Sequence, residues 1–114
     1  MVVRKKYNRE DLVIRKAKDD DLPVLVDFLV KLALHVAGPP SQKLKKKERK
    51  RLLDFLASAL SDKDKLVVVA ELPDAGLVGM AYIYIWRSQG IWEQAGDHEF
   101  SSGIIDDIWV EPAF

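Results

Sequence analysis

The feature that most constrains this chain is a change of hydrophobic period at the polar turn 62–64. Before the turn, apolar residues recur at three- and four-residue steps; after it, they fall in short β-branched and aromatic runs. Leu22, Leu25, Val26, Leu29, Leu32, Ala33 and Val36 predict a helix reaching about residue 36. Asp19, Asp20 and Asp21 precede it as carboxylates suited to the positive end of a helix dipole, and Pro23 stands where a first-turn proline is tolerated. Gly38, Pro39, Pro40 and Ser41 stop it. A second helix is predicted over residues 43–60, with Leu44, Leu52, Phe55, Leu56, Ala59 and Leu60 as its apolar stripe. Residues 65–71 then read as a short buried strand. Pro73, Asp74, Ala75 and Gly76 are turn residues, and residues 77–86 form a second, longer strand, so the two make a hairpin. Residues 87–102 read as a loop with Gly90 and Gly96, and residues 103–110 as the last strand. With a short strand at 12–16, the order is strand, helix, helix and three strands, an α+β (α/β) arrangement.

Length and composition narrow the class. A chain of 114 residues is a single small domain at most, here residues 1–114 with residues 1–10 expected to be flexible, or part of a larger one. An apolar share of 48% separates it from disordered chains. The 18 basic and 18 acidic side chains balance, which argues against a general nucleic-acid binder. No cysteine is present, so disulfides, thiolate metal sites and a cysteine nucleophile are excluded. The basic residues Arg4, Lys5 and Lys6 are followed by Asn8, Arg9, Glu10 and Asp11, where a signal peptide needs an apolar stretch. No run approaches the ~18 apolar residues of a membrane span. A cytoplasmic protein without a membrane partner is expected.

Two local sequences, taken in order, resemble the GNAT superfamily of N-acetyltransferases. Val68-Val69-Ala70-Glu71, a turn, and Leu77-Val78-Gly79-Met80-Ala81 look like that family's second and third strands. The run from Ile105, Asp106, Asp107, Ile108, Trp109 and Val110 to Glu111, Pro112, Ala113 and Phe114 looks like its fourth strand and exit. The resemblance covers residues 12–114 and implies a partial GNAT fold, β1-α1-α2-β2-β3-β4, with two helices and a mainly antiparallel sheet. It also implies acetyl transfer from acetyl-CoA to an amine acceptor. The family's pyrophosphate loop, Arg/Gln-x-x-Gly-x-Gly/Ala, would begin directly after Phe114. Gly76, Gly79, Gly90, Gly96 and Gly103 do not form such a loop. Backbone N–H groups at a helix N-terminus grip the phosphates there, and a Cβ would block their approach. The chain is therefore expected to be truncated, not competent alone, and not to bind acetyl-CoA tightly.

Acetyl transfer needs a deprotonated amine and donors for the oxygen that becomes anionic as the thioester is attacked. In the resemblance, the donors are main-chain N–H groups of the fourth strand, here around Ile108, Trp109 and Val110. Asp106 and Asp107 match an acidic pair found at this point in polyamine-acetylating members. Strand alternation puts Asp106 with Ile104 and Ile108, and Asp107 with Ile105 and Trp109, on opposite faces unless a bulge re-aims one. Asp106 is expected to remove the proton and Asp107 to bind a cationic substrate. The alternative is that both cap the strand or pair with lysines. His35 lies where the family lines its acceptor pocket, or is simply a dipole partner at a helix C-terminus. Tyr82 and Tyr84, with Trp86, Trp92 and Trp109, read as walls of an acceptor cleft or as sheet packing. His98 sits between Asp97 and Glu99, and two histidines so far apart give no metal spacing. No metal is expected.

Three readings compete. The first is an acetyltransferase fragment, whose apolar last strand would be a sticky open edge and favour a homodimer or completion by a separate C-terminal segment. The second is a non-catalytic GNAT-like binding or dimerisation module. The third and weakest is RNA binding through the basic run 43–51, with seven Lys or Arg and one acid, Glu48, a pattern that first suggests a solvated helix face.

Overall fold

The computed structural model describes residues 9–37, 44–87 and 101–114. A 3₁₀ turn, Arg9–Asp11, leads to strand β1 (Val13–Lys16), a second 3₁₀ turn (Asp19–Asp21) and helix α1 (Leu22–Ala37). Helix α2 (Glu48–Leu60), β2 (Lys65–Leu72), β3 (Gly76–Arg87) and β4 (Ser101–Val110) follow. The sheet order is β1-β2-β3-β4 and every neighbouring pair is antiparallel. The expected α+β order is thus the observed one. Arg9 and Glu10 belong to the first turn, and the rest of the segment expected to be flexible lies outside the described residues. So do Gly90, Trp92, Gly96 and His98 of the expected loop.

One boundary moves for a reason in the charges. The second helix begins at Glu48, not at residue 43, and Leu44 lies exposed ahead of it, outside the apolar stripe. Lys45, Lys46 and Lys47 would set three cations against the positive end of the helix dipole, whereas Glu48 in the first turn suits it. Glu48 also holds Arg51, one turn on.

Both helices lie on one face of the sheet. Leu25, Val26, Phe28 and Leu29 of α1 and Leu56 and Ala59 of α2 are buried against Val67 and Val69 of β2 and Met80 and Tyr82 of β3. Cross-strand register explains the choice: Val67 pairs with Tyr82 and Val69 with Met80, so all four share one face. Ile14, Ile105, Ile108 and Val110 are exposed. Gly79 lies between β2 and β4, where an added Cβ would come within 3.0 Å of the Trp109 carbonyl oxygen. Gly76 turns the β2-β3 hairpin at φ 74°.

The start of α1 is tied to the sheet by charge. Asp21, buried but for 8% of its surface, accepts from the Lys18 main-chain N–H at 2.8 Å. It also receives two hydrogen bonds from the Arg15 guanidinium of β1, at 2.7 and 3.0 Å. Arg15 reaches Glu71 of β2 as well, at 3.3 Å. The hydrogen bond from Arg15 holds the Asp21 carboxyl below its ordinary pKa, while burial opposes the shift. A carboxyl whose pKa is depressed on folding stabilises the protein above the ordinary carboxylate range, and that stability is lost as pH falls through the depressed value. Asp21→Asn is therefore expected to lower the melting temperature by several degrees at pH 7. The gap from wild type should close on titration to pH 2, as followed by circular dichroism; a gap independent of pH would contradict the role given to this charge.

Candidate active site

Strict alternation fails in β4 at one residue. Tyr82 pairs with Asp107, yet Ile83 pairs with Ile105, so Asp106 has no partner across the ladder and forms a bulge. The bulge corrects the expected facing. Below it, Asp107 and Trp109 lie on the helix-facing side with Tyr82 and Met80. Above it, Ile104 pairs with Tyr84 on that side, whereas Ile105, 63% exposed, turns to the other. Asp107 therefore does not share a face with Ile105.

The two aspartates are not on opposite sides. Both line one cleft of about 560 Å³, whose walls are Leu29, Leu32, Ala33 and Val36 of α1 and Arg51, Leu52 and Phe55 of α2. Ile108 lines it too. The volume is in the range of small-molecule sites, roughly 300–1,000 Å³. Asp107 is half-buried and Asp106 exposed. Burial first, and then the neighbouring charge of Asp106, push the Asp107 carboxyl above its ordinary pKa. Both effects penalise a second negative charge at the bulge. Arg51 does not neutralise the pair, because its guanidinium donates to both Glu48 carboxylate oxygens at 3.0 Å. That contact raises the Arg51 pKa and lowers that of Glu48.

The other residues expected at the site divide. Tyr82 is 4% exposed, packs its ring against Phe55 at 5.2 Å and belongs to the core, not to the cleft lining. Its phenol is raised, by burial first and then by Asp106. Tyr84 lies against Tyr82 at 6.0 Å, partly buried on the core, and does not line the cleft either. The sheet-packing alternative describes both tyrosines. His35 is exposed near the end of α1, its ring edge-on to Trp109 at 6.3 Å. Trp109 packs against the core, and its indole Nε1 is buried with no acceptor among the described residues.

Main-chain geometry places the remaining donors. The Glu111 N–H donates to the Val78 carbonyl at 2.8 Å, which makes that pair a hydrogen-bonded one. Alternation then turns Trp109 inward to β3 and leaves the N–H groups of Ile108 and Val110 on the outer edge of β4, the last strand in the sheet order. Lys31 of α1 grips the Glu111 carboxylate at 2.6 Å and so ties that helix to the exit of β4. Arg49 pairs with Asp27 across α1 and α2. The basic run thus has carboxylate partners in Asp27 and Glu48, as a solvated helix face would.

The cleft wall on α1 and α2 is the part that the sequence reading missed. A signal was present: the apolar stripe of α1 continues through Leu32, Ala33 and Val36, beyond Leu29, the last of its buried core residues. Val36 is 76% exposed. Apolar positions that overrun the core they serve are free to line a cleft.

No family model matches the sequence, and no curated protein does. Solved structures do match. A predicted acetyltransferase from Clostridium acetobutylicum, with acetyl-CoA, superposes with a TM-score of 0.65 at 18% identity, covering 89% of this chain and 60% of that one. An acetyltransferase from Vibrio fischeri gives 0.59 at 22% identity, over 88% of this chain and 70% of that one. The aminoglycoside antibiotic 6'-N-acetyltransferase of Acinetobacter baumannii gives 0.55 at 12% identity, over 89% and 58%. The fold is a partial GNAT fold, two helices and a four-stranded antiparallel sheet, shared with part of each of these acetyltransferases. The chain spans about 60% of the length of the first of these relatives. Among the described residues, no helix is long and apolar enough to cross a membrane.

The bulge carries its own test. In an NMR titration of the side-chain carboxyl carbons, Asp107 is expected to have its midpoint above that of an ordinary aspartate. Asp106→Asn should move that midpoint part of the way back down; an Asp107 midpoint unchanged by the substitution would contradict the coupling.

Proposed function

We propose that this chain forms the acceptor half of an N-acetyltransferase site, with Asp107 as the group that takes the proton from the acceptor amine. The observation that carries the reading is the pair of carboxylates turned by one bulge into a single cleft. Asp106 is the residue that the sequence alone favours for proton removal. Asp107 suits it better, because it is the more buried of the two and its affinity for a proton is raised. Asp106, exposed beside it, supplies negative charge that draws a cationic amine to the bulge.

The donor fits in part. The outward N–H groups of Ile108 and Val110 are spaced to hold an extended amide-bearing arm as an added strand would be held. Among the described residues, nothing forms a glycine-rich cradle for a pyrophosphate. Bound along β4, acetyl-CoA would supply an acetyl group activated as a thioester. The carboxylate of Asp107 accepts the ammonium proton, which frees the nitrogen lone pair. The edge N–H of Ile108 or Val110 would donate to an oxygen on which negative charge develops. Attack by that nitrogen would form the N–C bond as the thioester C–S bond breaks, and the second proton lost by the nitrogen would pass to the departing sulfur to give the thiol.

The exposed apolar face of the sheet and the open edge of β4 favour a covered state, in a homodimer or by a C-terminal segment that completes the sheet. Light scattering coupled to size exclusion is expected to show a dimer of this chain. A clean monomer at high concentration, with no gain in dye binding to apolar surface, would contradict that.

Calorimetric titration with acetyl-CoA tests the site. Ile108→Pro deletes an outward N–H without touching the β3 ladder, and is expected to weaken acetyl-CoA binding about fivefold, the worth of one hydrogen bond. In a chain extended past Phe114, Asp107→Asn should slow acetyl transfer by roughly 10²–10⁴-fold. Undetectable acetyl-CoA binding by both the chain and its extended form would contradict the reading.

A further inference from the structure

We infer that the acceptor is a primary amine carried on a hydrocarbon or aryl body, and not a polyamine, an aminoglycoside or an amino acid. This rests on the acetyl-transfer reading for the reaction, but the argument for binding comes from the cleft alone. The two ends of the cleft differ in chemistry. At the β4 end, Asp106 and Asp107 present two adjacent carboxylates, a site for one ammonium group. Away from it, the walls are aliphatic and aromatic: Leu29, Leu32 and Val36 on one side, Leu52 and Phe55 on the other.

Such walls select by what they fail to offer. A polyamine repeats its charge every few ångströms, and an aminoglycoside carries hydroxyl and amino groups over its whole surface. Each polar group laid on these walls loses water and gains no partner from Leu29, Leu32, Val36, Leu52 or Phe55. A hydrocarbon body loses nothing there and gains from burial. The walls also end in exposed apolar surface at Val36, 76% exposed, so that no described residue closes this end against a longer body. Among the described residues of the lining, Arg51 is the one cation, and it is the group that would read the carboxylate of an amino acid. Both oxygens of Glu48 already engage it, so an acceptor carboxylate would have to displace an internal ion pair.

The test measures amine binding with no acetyl-CoA present, so it stands or falls apart from the transfer reading. Butyl-, hexyl- and octylamine, phenethylamine, phenylalanine, spermidine and kanamycin are titrated into the chain at low salt, with chemical shifts of Asp107 and Phe55 as readout. Affinity is expected to rise about three- to fourfold per added methylene, as for burial of hydrocarbon. Phenethylamine should bind at least tenfold more tightly than 2-phenylethanol, spermidine, kanamycin or phenylalanine. Val36→Glu alters an exposed position and should leave folding intact while flattening the chain-length dependence. Asp106→Asn should weaken all the amines and leave that dependence in place. A flat alkyl series, spermidine or kanamycin as the tightest ligand, or phenylalanine above phenethylamine would each overturn the inference. So would the absence of any amine-dependent shift up to millimolar concentration. Acetyl-CoA binding found alongside such a failure would leave the transfer reading standing; amine selectivity without acetyl-CoA binding would do the reverse.

Discussion

One unpaired residue governs the site. Side chains on a strand alternate between faces, so a regular β4 would send Asp106 and Asp107 to opposite sides of the sheet. The extra residue opposite Tyr82 and Ile83 breaks that alternation. It keeps Asp107 in phase with Met80 and Tyr82 and opens the strand enough for Asp106 to reach the same cleft. The raised proton affinity of Asp107 follows from the same displacement, since it joins partial burial to a like charge one residue away.

The remainder of the structure holds that strand still and roofs it. α1 is fixed at its start by the Arg15 and Asp21 pair and towards its end by Lys31 on Glu111, so it spans the sheet from β1 to the exit of β4. α2 is packed beside it through Leu56 and Ala59. The residues of these helices that overrun the core, Leu32 and Val36 among them, become the cleft wall. Thus a core that is complete over β2 and β3 gives way to an opening over β4.

Much of the architecture was legible in the residues. The switch from helical to strand periodicity gave the order of elements, because burial of one helix face and one sheet face leaves different spacings. The acidic pair could be named because proton removal needs a carboxylate and the resemblance places one on this strand. Its facing could not be read, since a bulge depends on pairing with β3 and has no local signature in Ile104-Ile105-Asp106-Asp107. Tyr82 was ambiguous until its partner across the strands, Val67, put it in the core. The start of α2 was misread because apolar spacing outweighed the cost of three lysines at a helix N-terminus. The cleft itself needed three elements at once, and periodicity describes one element at a time.

The most direct measurement is the cross-strand nuclear Overhauser pattern between β3 and β4 in solution. The account predicts contacts that pair Tyr82 with Asp107 and Ile83 with Ile105, passing over Asp106, together with contacts from the side chains of both aspartates to Leu29 or Phe55. An unbroken ladder that pairs Ile83 with Asp106, and an Asp106 side chain in contact with the helix-free face, would contradict it.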